Sequence, residues 1–243
     1  MTTLCIDFGN TRLKAAYFTG DIFREEVNIE NDSVETISSL TEKYNPVKTI
    51  LSSVINHNPE IEILLASKTR FYKLSNQGKL NFNIAMSKPD SIGADRLALI
   101  AAACHIYPNK NNLIIGLGSC ITYNFVNQQH QFLGGAISPG MDMRFRSMHE
   151  YTAQLPLVES DWNFPFIGYD TKTNLQSGVI TGITNEIEGF VEKYNEKYGN
   201  FNVVLTGGNC TYFASQLKNK IFADVNFLFK GLYALSEINN SLS

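Results

Sequence analysis

Apolar and polar residues follow one another along the chain in a pattern that predicts a mixed α/β protein. Two runs of β-forming residues, 2–7 and 12–19, flank a turn that contains glycine and asparagine, and together they predict a β-hairpin. The apolar spacing then predicts a helix over 33–44, a buried strand over 49–54 and a helix over 60–68.

The middle of the chain predicts a loop, a buried helix and then a domain boundary. Pro89 and Gly93 punctuate the segment 87–93, which leads into an Ala- and Leu-rich helix over 94–107. Pro108 and the polar run after it break the pattern. We therefore expect two halves, residues 1–110 and residues 111–243.

The second half begins as the first does, with a strand, a glycine turn and another strand over 113–122. The pattern then predicts a strand over 132–137, a helix towards Tyr151, a long helix over 174–197, a strand over 201–205 and helices over 212–218 and 231–238. This repetition predicts a duplicated α/β architecture with a cleft between the halves.

Charge and composition exclude several classes of function. The chain has 23 acidic residues against 20 Lys and Arg, a net charge of −3, so it carries no electrostatic signature of nucleic-acid or anionic-membrane binding. No segment has the length of a membrane span or the features of a secretion signal. Four widely separated cysteines favour a reduced cytoplasm over a zinc site or a disulfide framework, namely Cys5, Cys104, Cys120 and Cys210.

Glycine-bearing turns follow three apolar strands, at 7–11, 116–119 and 206–208. Glycine after a strand lets backbone amides gather around an anion, and a neighbouring hydroxyl adds a donor. Any one of them is more often only a tight turn, but three in one chain favour phosphate binding. None has the spacing of a Walker A loop, and the first strand is not followed by a Rossmann glycine motif.

Several charged residues beside these turns each have two interpretations. Asp7 either caps its own turn or orients Mg²⁺ and its waters, and Lys14 either contacts phosphate or is a surface charge. Asp95 either complements the dipole at the start of its helix or acts as a general base, with Arg96 supplying a fork for an anionic group. The order of residues alone does not decide between these interpretations.

Taken together and in order, these segments resemble the type III pantothenate kinase family. The first two motifs read D-x-G-N-T-x-x-K over 7–14 and P-x-x-x-G-x-D-R over 89–96. The others lie at 118–122, 134–140, 171–178 and 206–208. Six ordered motifs cover nearly the whole chain, and their joint occurrence is highly specific.

The resemblance implies the duplicated ribonuclease-H-like, actin-like fold of acetate and sugar kinases, Hsp70 and actin. It also implies ATP-dependent phosphorylation of pantothenate to 4′-phosphopantothenate, the first step of coenzyme A biosynthesis, by a homodimer. Mg²⁺ accompanies ATP, with Asp7 as its protein ligand. Carried over residue by residue, ATP and phosphate contacts fall on Asp7, Phe8, Gly9, Asn10, Thr11, Arg12, Leu13, Lys14 and Ser119.

The same resemblance assigns the pantothenate pocket. It is lined by Gly93, Ala94, Asp95 and Arg96, and Asp95 is the proton acceptor. Thr171 contacts pantothenate across the dimer interface of the family pattern.

The chain departs from the family pattern at three positions. Gly116 stands where an Asp usually binds K⁺ or NH₄⁺, Met86 where a Tyr is frequent, and Ser119 where a Thr is usual. We interpret these as changes in cation dependence and substrate affinity. They also leave two alternatives open, a non-catalytic nucleotide-binding regulator on the same fold and a kinase for another small hydroxylated acid.

Overall fold

The computed structural model describes residues 1–218 and 221–240, so residues 219–220 and 241–243 of the predicted C-terminal half lie outside the described part. The chain forms two compact units. The first comprises Met1–Asn109, Val126–Gly134 and the chain from Asn226, and the second comprises Lys110–Phe125 and Gly135–Val225. Two segments that the predicted halves placed in the C-terminal half thus group with the first unit.

Strands and helices alternate along the chain in the order expected of an α/β protein. The elements up to residue 106 are β1 (Thr2–Phe8), β2 (Leu13–Thr19), β3 (Ile22–Ile29), α1 (Val34–Tyr44), β4 (Lys48–Ser53), α2 (Glu60–Lys68), β5 (Arg70–Lys73), β6 (Asn83–Ile84), a 3₁₀ turn (Pro89–Ser91) and α3 (Ala94–Ile106). The later elements are β7 (Asn111–Leu117), β8 (Cys120–Val126), β9 (Gln131–Pro139), α4 (Met141–Glu150), α5 (Thr171–Tyr198), β10 (Phe201–Gly207), α6 (Cys210–Gln216), β11 (Phe222–Ala223) and α7 (Phe227–Asn239).

Both sheets have the same strand order. The first runs β3-β2-β1-β4-β5, and the second runs β9-β8-β7-β10-β11, with β6 added beside β9. In the first sheet β2 is antiparallel to β1 and β3, whereas β4 is parallel to β1 and β5. In the second, β10 is parallel to β7 and β11. This repeated order is what a duplicated architecture requires.

Each unit has its own apolar core. In the first unit, alternate residues of β1 pack against α1 and α2, as Leu4, Ile6 and Phe8 do. In the second, strands β7, β8 and β10 pack against the long helix α5. The helix α3 is buried along most of its length and packs against α7. No helix in the two described ranges has both the length and the apolar character needed to cross a membrane.

The main differences from the sequence prediction are strand β3 and the starts of three helices. β3 was not predicted because Arg24, Glu25 and Glu26 interrupt its apolar pattern, and its pairing with β2 defines it as a strand. Helix α5 begins at Thr171, three residues earlier than predicted, since Asp170 and Thr173 form a capping box there. Helices α6 and α7 also begin earlier, at Cys210 and Phe227.

Candidate active site

The hairpin β1–β2 places two charged side chains next to each other at its closed end. Asp7 and Lys14 are directly opposed in the antiparallel register, so their side chains lie on the same face of the sheet. The intervening turn is closed by a hydrogen bond from the Gly9 amide to the Arg12 carbonyl (3.1 Å). Asn10 and Thr11 are exposed at its tip. The turn therefore presents backbone amides and a hydroxyl beside one acid and one base.

Asp7 is a partly buried carboxylate with several close electrostatic neighbours. Burial has the largest influence and raises the pKa of Asp7 to about 6, and the negative charge of Asp95 acts in the same direction. The hydroxyl of Ser52 opposes this effect by donating to Asp7 Oδ1 (2.8 Å), as does the charge of Lys14. The ionised form of a carboxyl group with such a raised pKa is stabilised when a cation binds next to it.

Lys14 forms an ion pair with Glu26 of strand β3, with 2.5 Å between Nζ and Oε1. Both side chains are about one-quarter exposed. Glu26 was not singled out from the sequence, because β3 itself was not predicted. Its carboxylate and that of Asp7 flank the same ammonium group.

Asp95 lies in the first turn of α3, where Gly93 is the N-cap residue. A Cβ at Gly93 would lie only 2.5 Å from Asp95 Oδ1, so the carboxylate folds back over a position that only glycine can occupy without displacing it. Burial raises the pKa of Asp95, whereas hydrogen bonding and the charge of neighbouring Arg96 partly counter this. Asp95 belongs to the same unit as Asp7, and its negative charge contributes to the raised pKa of Asp7.

Arg96 and Met86 both lie against the start of strand β9. The Arg96 guanidinium carbon is 5.6 Å from the centre of the buried Phe132 ring, a cation–π distance. The side chain of Met86 reaches Gly134, where a Cβ would lie 3.9 Å from its sulfur. Arg96 and Met86 therefore both lie close to strand β9, at two residues that the sequence analysis did not single out for this role.

In the second unit, two glycine turns lie side by side. Strands β7 and β10 are parallel, and Gly116 and Leu117 pair with Thr206 and Gly207, so the turn after each strand lies at the same sheet edge. A cavity of about 40 Å³ opens there, lined by Leu117, Gly118, Ile121, Met141, Asp142, Ile183, Asn209 and Phe213.

The turn around Ser119 is held against the start of helix α4. The Gly140 amide donates to the Ser119 carbonyl (3.0 Å), and a Cβ at Gly140 would lie 2.2 Å from the Gly118 carbonyl oxygen. Any side chain at this position would therefore separate helix from turn. Helix α4 has no N-cap side-chain hydrogen bond, and its first two residues, Met141 and Asp142, line the cavity, so the helix end that favours an anion faces this space.

A polar cluster behind this turn centres on Glu186 of helix α5. It accepts hydrogen bonds from Tyr123 (2.9 Å), Ser138 (2.5 Å) and Arg144. Burial opposes ionisation of Glu186, but the three donors outweigh it and lower its pKa. The sequence analysis did not single out this cluster, because its four residues are widely separated along the chain.

Thr171 is the first residue of helix α5 and is exposed. It belongs to the second unit, as does Ser119, whereas Asp7, Lys14, Asp95 and Arg96 belong to the first. Within each unit the residues chosen from the sequence lie at strand ends and helix starts. No three acidic, histidine or cysteine side chains among the described residues gather into a ready metal site.

Comparison with known proteins agrees with these motifs. The sequence profile of the type III pantothenate kinase family matches residues 3–193. A Christiangramia forsetii protein named type III pantothenate kinase is 39% identical over 240 residues, which cover 98% of this chain and 99% of that protein. The chain belongs to the type III pantothenate kinase family. Kinases of this family use ATP with a divalent metal ion.

Solved structures share the fold of this family member. A Campylobacter jejuni protein described as a Baf family transcriptional activator has a TM-score of 0.61 at 21% identity, covering 98% of this chain and 100% of that one. A ROK family protein from Streptococcus pneumoniae, solved with sucrose, has a TM-score of 0.55 at 14% identity, covering 98% of each chain. At these identities the likeness concerns the fold alone, and it confirms the expected duplicated α/β fold of the actin-like and sugar-kinase class.

Proposed function

We propose that the protein transfers the γ-phosphoryl group of ATP to the primary hydroxyl of pantothenate, giving 4′-phosphopantothenate for coenzyme A biosynthesis. One observation carries this proposal. In a chain that matches the family almost end to end, the charged residues of its first two motifs form one electrostatically linked series, Lys14, Asp7, Asp95 and Arg96. We place the reaction in the cytoplasm, where the four free cysteines stay reduced.

In this mechanism Asp95 accepts the proton of the pantothenate hydroxyl. The hydroxyl oxygen forms a bond to the γ-phosphorus, the bond from that phosphorus to the β–γ bridging oxygen breaks, and ADP leaves. Arg96 lies beside Asp95 and favours its ionised form, and its guanidinium, packed over Phe132, is a suitable fork for the substrate carboxylate. Gly93 and Ala94 set the start of the helix that carries both side chains.

The phosphate groups of ATP are assigned to the first glycine turn. Its contribution comes from the backbone of residues 8–13, the Thr11 hydroxyl and the Lys14 ammonium group. Positioning and charge neutralisation are the main requirements of phosphoryl transfer, and a turn between two paired strands holds these donors rigidly. Ser119 and the N-terminal end of α4 are assigned to the nucleotide in the second unit.

The residues present suit a divalent ion, which we take to be Mg²⁺. Mg²⁺ takes one or two protein carboxylates and keeps several waters, and Asp7 offers one carboxylate, whose Oδ2 faces the glycine turn. Bound there with ATP, the ion neutralises charge on the phosphates. The position of the usual K⁺ ligand does not suit a cation in the same way, since Gly116 has no side chain, and we assign no step to K⁺ or NH₄⁺.

A coupled assay of ADP release tests the proposed reaction. With ATP, Mg²⁺ and pantothenate we expect sustained turnover that needs all three components, and replacing K⁺ by choline should change the rate less than about twofold. Other small hydroxylated acids, such as pantoate and glycerate, serve as control acceptors, and omitting the acceptor measures background ATP hydrolysis.

Other outcomes of this assay favour the alternatives. ATP binding without turnover at any K⁺ or NH₄⁺ concentration would identify a nucleotide-binding regulator. The departures from the family pattern at Gly116 and Met86 are the reason for considering this alternative. If another acceptor is phosphorylated faster than pantothenate, that acceptor becomes the proposed substrate. Strong K⁺ stimulation would show that backbone carbonyls or a neighbouring carboxylate replace the missing side chain at Gly116.

We also propose that the protein acts as a homodimer. The loop before helix α5 exposes large apolar side chains next to Thr171, including Phe166 (76% exposed), Ile167 (80%) and Tyr169 (80%). A contiguous set of exposed apolar residues marks an interaction surface. A second copy of the chain would cover this surface and would bring Thr171 to its partner's substrate, as in the family pattern.

Polar substitution in this loop should dissociate the dimer. We expect the double variant Phe166→Ser/Ile167→Ser to sediment as a monomer in analytical ultracentrifugation at a concentration where the wild-type protein sediments as a dimer. Its KM for pantothenate should rise several-fold, while its melting temperature changes little because neither side chain is buried within the chain. Ile63→Ser, at an exposed apolar position of α2, is the matched control. A wild-type protein that sediments as a monomer would refute the dimer.

A further inference from the structure

Ser52 lies beside Asp7 at the centre of the first sheet. It is on strand β4, directly opposite Asp7 in the parallel β1–β4 register, and its side chain is fully buried. Its hydroxyl donates to Asp7 Oδ1 at 2.8 Å. The sequence analysis did not single it out, and the family motifs discussed above do not include it.

The hydrogen bond orients the carboxylate as well as satisfying it. Oδ1 is occupied by the Ser52 hydroxyl, whereas Oδ2 is directed towards the glycine turn, where a Cβ at Gly9 would lie 3.7 Å away. A carboxylate held by one oxygen has its other oxygen fixed in direction. The second oxygen therefore faces the turn assigned to the phosphates.

We propose that Ser52 is a positioning residue for the phosphoryl-transfer reaction, since it occupies one oxygen of Asp7 and leaves the other facing the turn where Asp7 would hold the divalent cation that accompanies ATP. This inference rests on the proposed function for the identity of the reaction. In this role Ser52 acts through Asp7, to which its hydroxyl donates. Outer hydrogen-bond partners of this kind orient carboxylate ligands, and losing one weakens metal binding about 10–100-fold.

Strand β4 supplies a matched control for the loss of a buried hydroxyl. Thr49 is also fully buried, three residues before Ser52, and its hydroxyl has no hydrogen-bond partner among the described residues. Thr49→Val removes a hydroxyl from the same strand and preserves side-chain shape. Ser52→Ala removes the hydroxyl that binds Asp7 and leaves only a small gap. The two variants therefore separate the role of the hydrogen bond from a general effect on the strand.

The test measures binding of Mn²⁺ together with a non-hydrolysable ATP analogue, AMPPNP, by electron paramagnetic resonance of the bound ion. We expect Ser52→Ala to raise the Kd of Mn²⁺ about tenfold and to raise its activation constant for turnover by a similar factor. The KM for pantothenate should stay within about twofold of the wild-type value. Thr49→Val should match the wild-type protein in every one of these measurements.

Each outcome of these measurements either supports or contradicts the positioning role of Ser52. Wild-type Mn²⁺ binding in Ser52→Ala, an equal loss in Thr49→Val, or no binding of Mn²⁺ with AMPPNP by the wild-type protein would overturn it. A loss confined to Ser52→Ala supports it, and thermal melting of the metal-free variant shows whether the fold is intact. If that loss occurs in a protein that does not phosphorylate pantothenate, the positioning role stands and the proposed substrate fails.

Discussion

Replacing Asp95 with asparagine lowers kcat for pantothenate phosphorylation at least tenfold, because asparagine cannot accept the proton of the attacking hydroxyl. General bases contribute about 10²–10⁴-fold, so a loss near the upper part of this range is expected if proton transfer limits the rate. The amide has nearly the same shape as the carboxylate, and it keeps the position over Gly93. Steady-state kinetics with saturating ATP and Mg²⁺ measure the effect.

The pH dependence of the same reaction gives a second measure of Asp95. Burial raises the pKa of Asp95 above its usual value of 3.8, so the base is lost by protonation as pH falls through this raised pKa. The acid limb of the wild-type kcat profile should therefore lie above the usual Asp value of 3.8. Residual activity of Asp95→Asn should lack this limb.

The control for Asp95→Asn is Glu60→Gln. Glu60 is an exposed acidic residue in the first turn of helix α2, so this variant also removes a charge at a helix start in the same unit. We expect it to keep wild-type kcat. An unchanged kcat in Asp95→Asn would show that Asp95 is not the general base. Its role would then be to complement the helix dipole at the start of α3.

Replacing Asp7 with asparagine abolishes most of the activity and at the same time stabilises the metal-free protein. We expect kcat/KM for ATP to fall about a hundredfold or more, because the phosphates and their divalent ion lose the carboxylate of the first glycine turn. The neutral amide oxygen can still accept the Ser52 hydrogen bond. Kinetics over a range of Mg²⁺ concentrations measure the loss.

The sign of the stability change follows from the raised pKa of Asp7. Between its usual value of 3.8 and the folded value of about 6, the folded protein binds more protons at this group than the unfolded chain does. Its contribution to stability is therefore present below pH 4 and is lost as pH rises through 6. At pH 8 the metal-free Asp7→Asn variant should melt a few degrees above the wild-type protein, and the difference should shrink towards pH 4.

Mg²⁺ with ATP should reverse this order at pH 8, since it stabilises only a protein that binds it. Asp21→Asn, at an exposed position in the turn before β3, is the control and should change neither melting temperature nor kinetics. If Asp7→Asn retains the wild-type Mg²⁺ requirement, the ion is held elsewhere. If it melts below the wild-type protein at pH 8, burial of the Asp7 carboxylate costs less stability than its raised pKa implies.

Local features of the sequence predicted the elements that carry the two acids. Alternating β-formers around Gly9 predicted the hairpin, and Pro89 and Gly93 before an Ala-rich run predicted the start of α3. These elements depend on turn chemistry and on neighbours a few residues away, so a linear sequence contains their signal. The same motifs, read together, also identified the family to which the comparisons assign the chain. Their assignment to ATP and pantothenate remains a prediction until the kinetics are measured.

The tertiary structure alone decided which groups surround those acids. Ser52 donates a hydrogen bond to Asp7 from 45 residues further along the chain. Glu26 forms an ion pair with Lys14, and it lies on a strand that was not predicted because of its charged residues. The ring of Phe132 contacts the guanidinium of Arg96. The contacts of Ser52 and Glu26 depend on sheet register, and that of Phe132 depends on where the fold places Arg96 of helix α3. The local sequence does not specify which distant strand a residue pairs with, since many strand registers are compatible with one alternating pattern. The sequence therefore determined the acids and their turns, and only the folded sheet determined the partners that orient them and shift their pKa values.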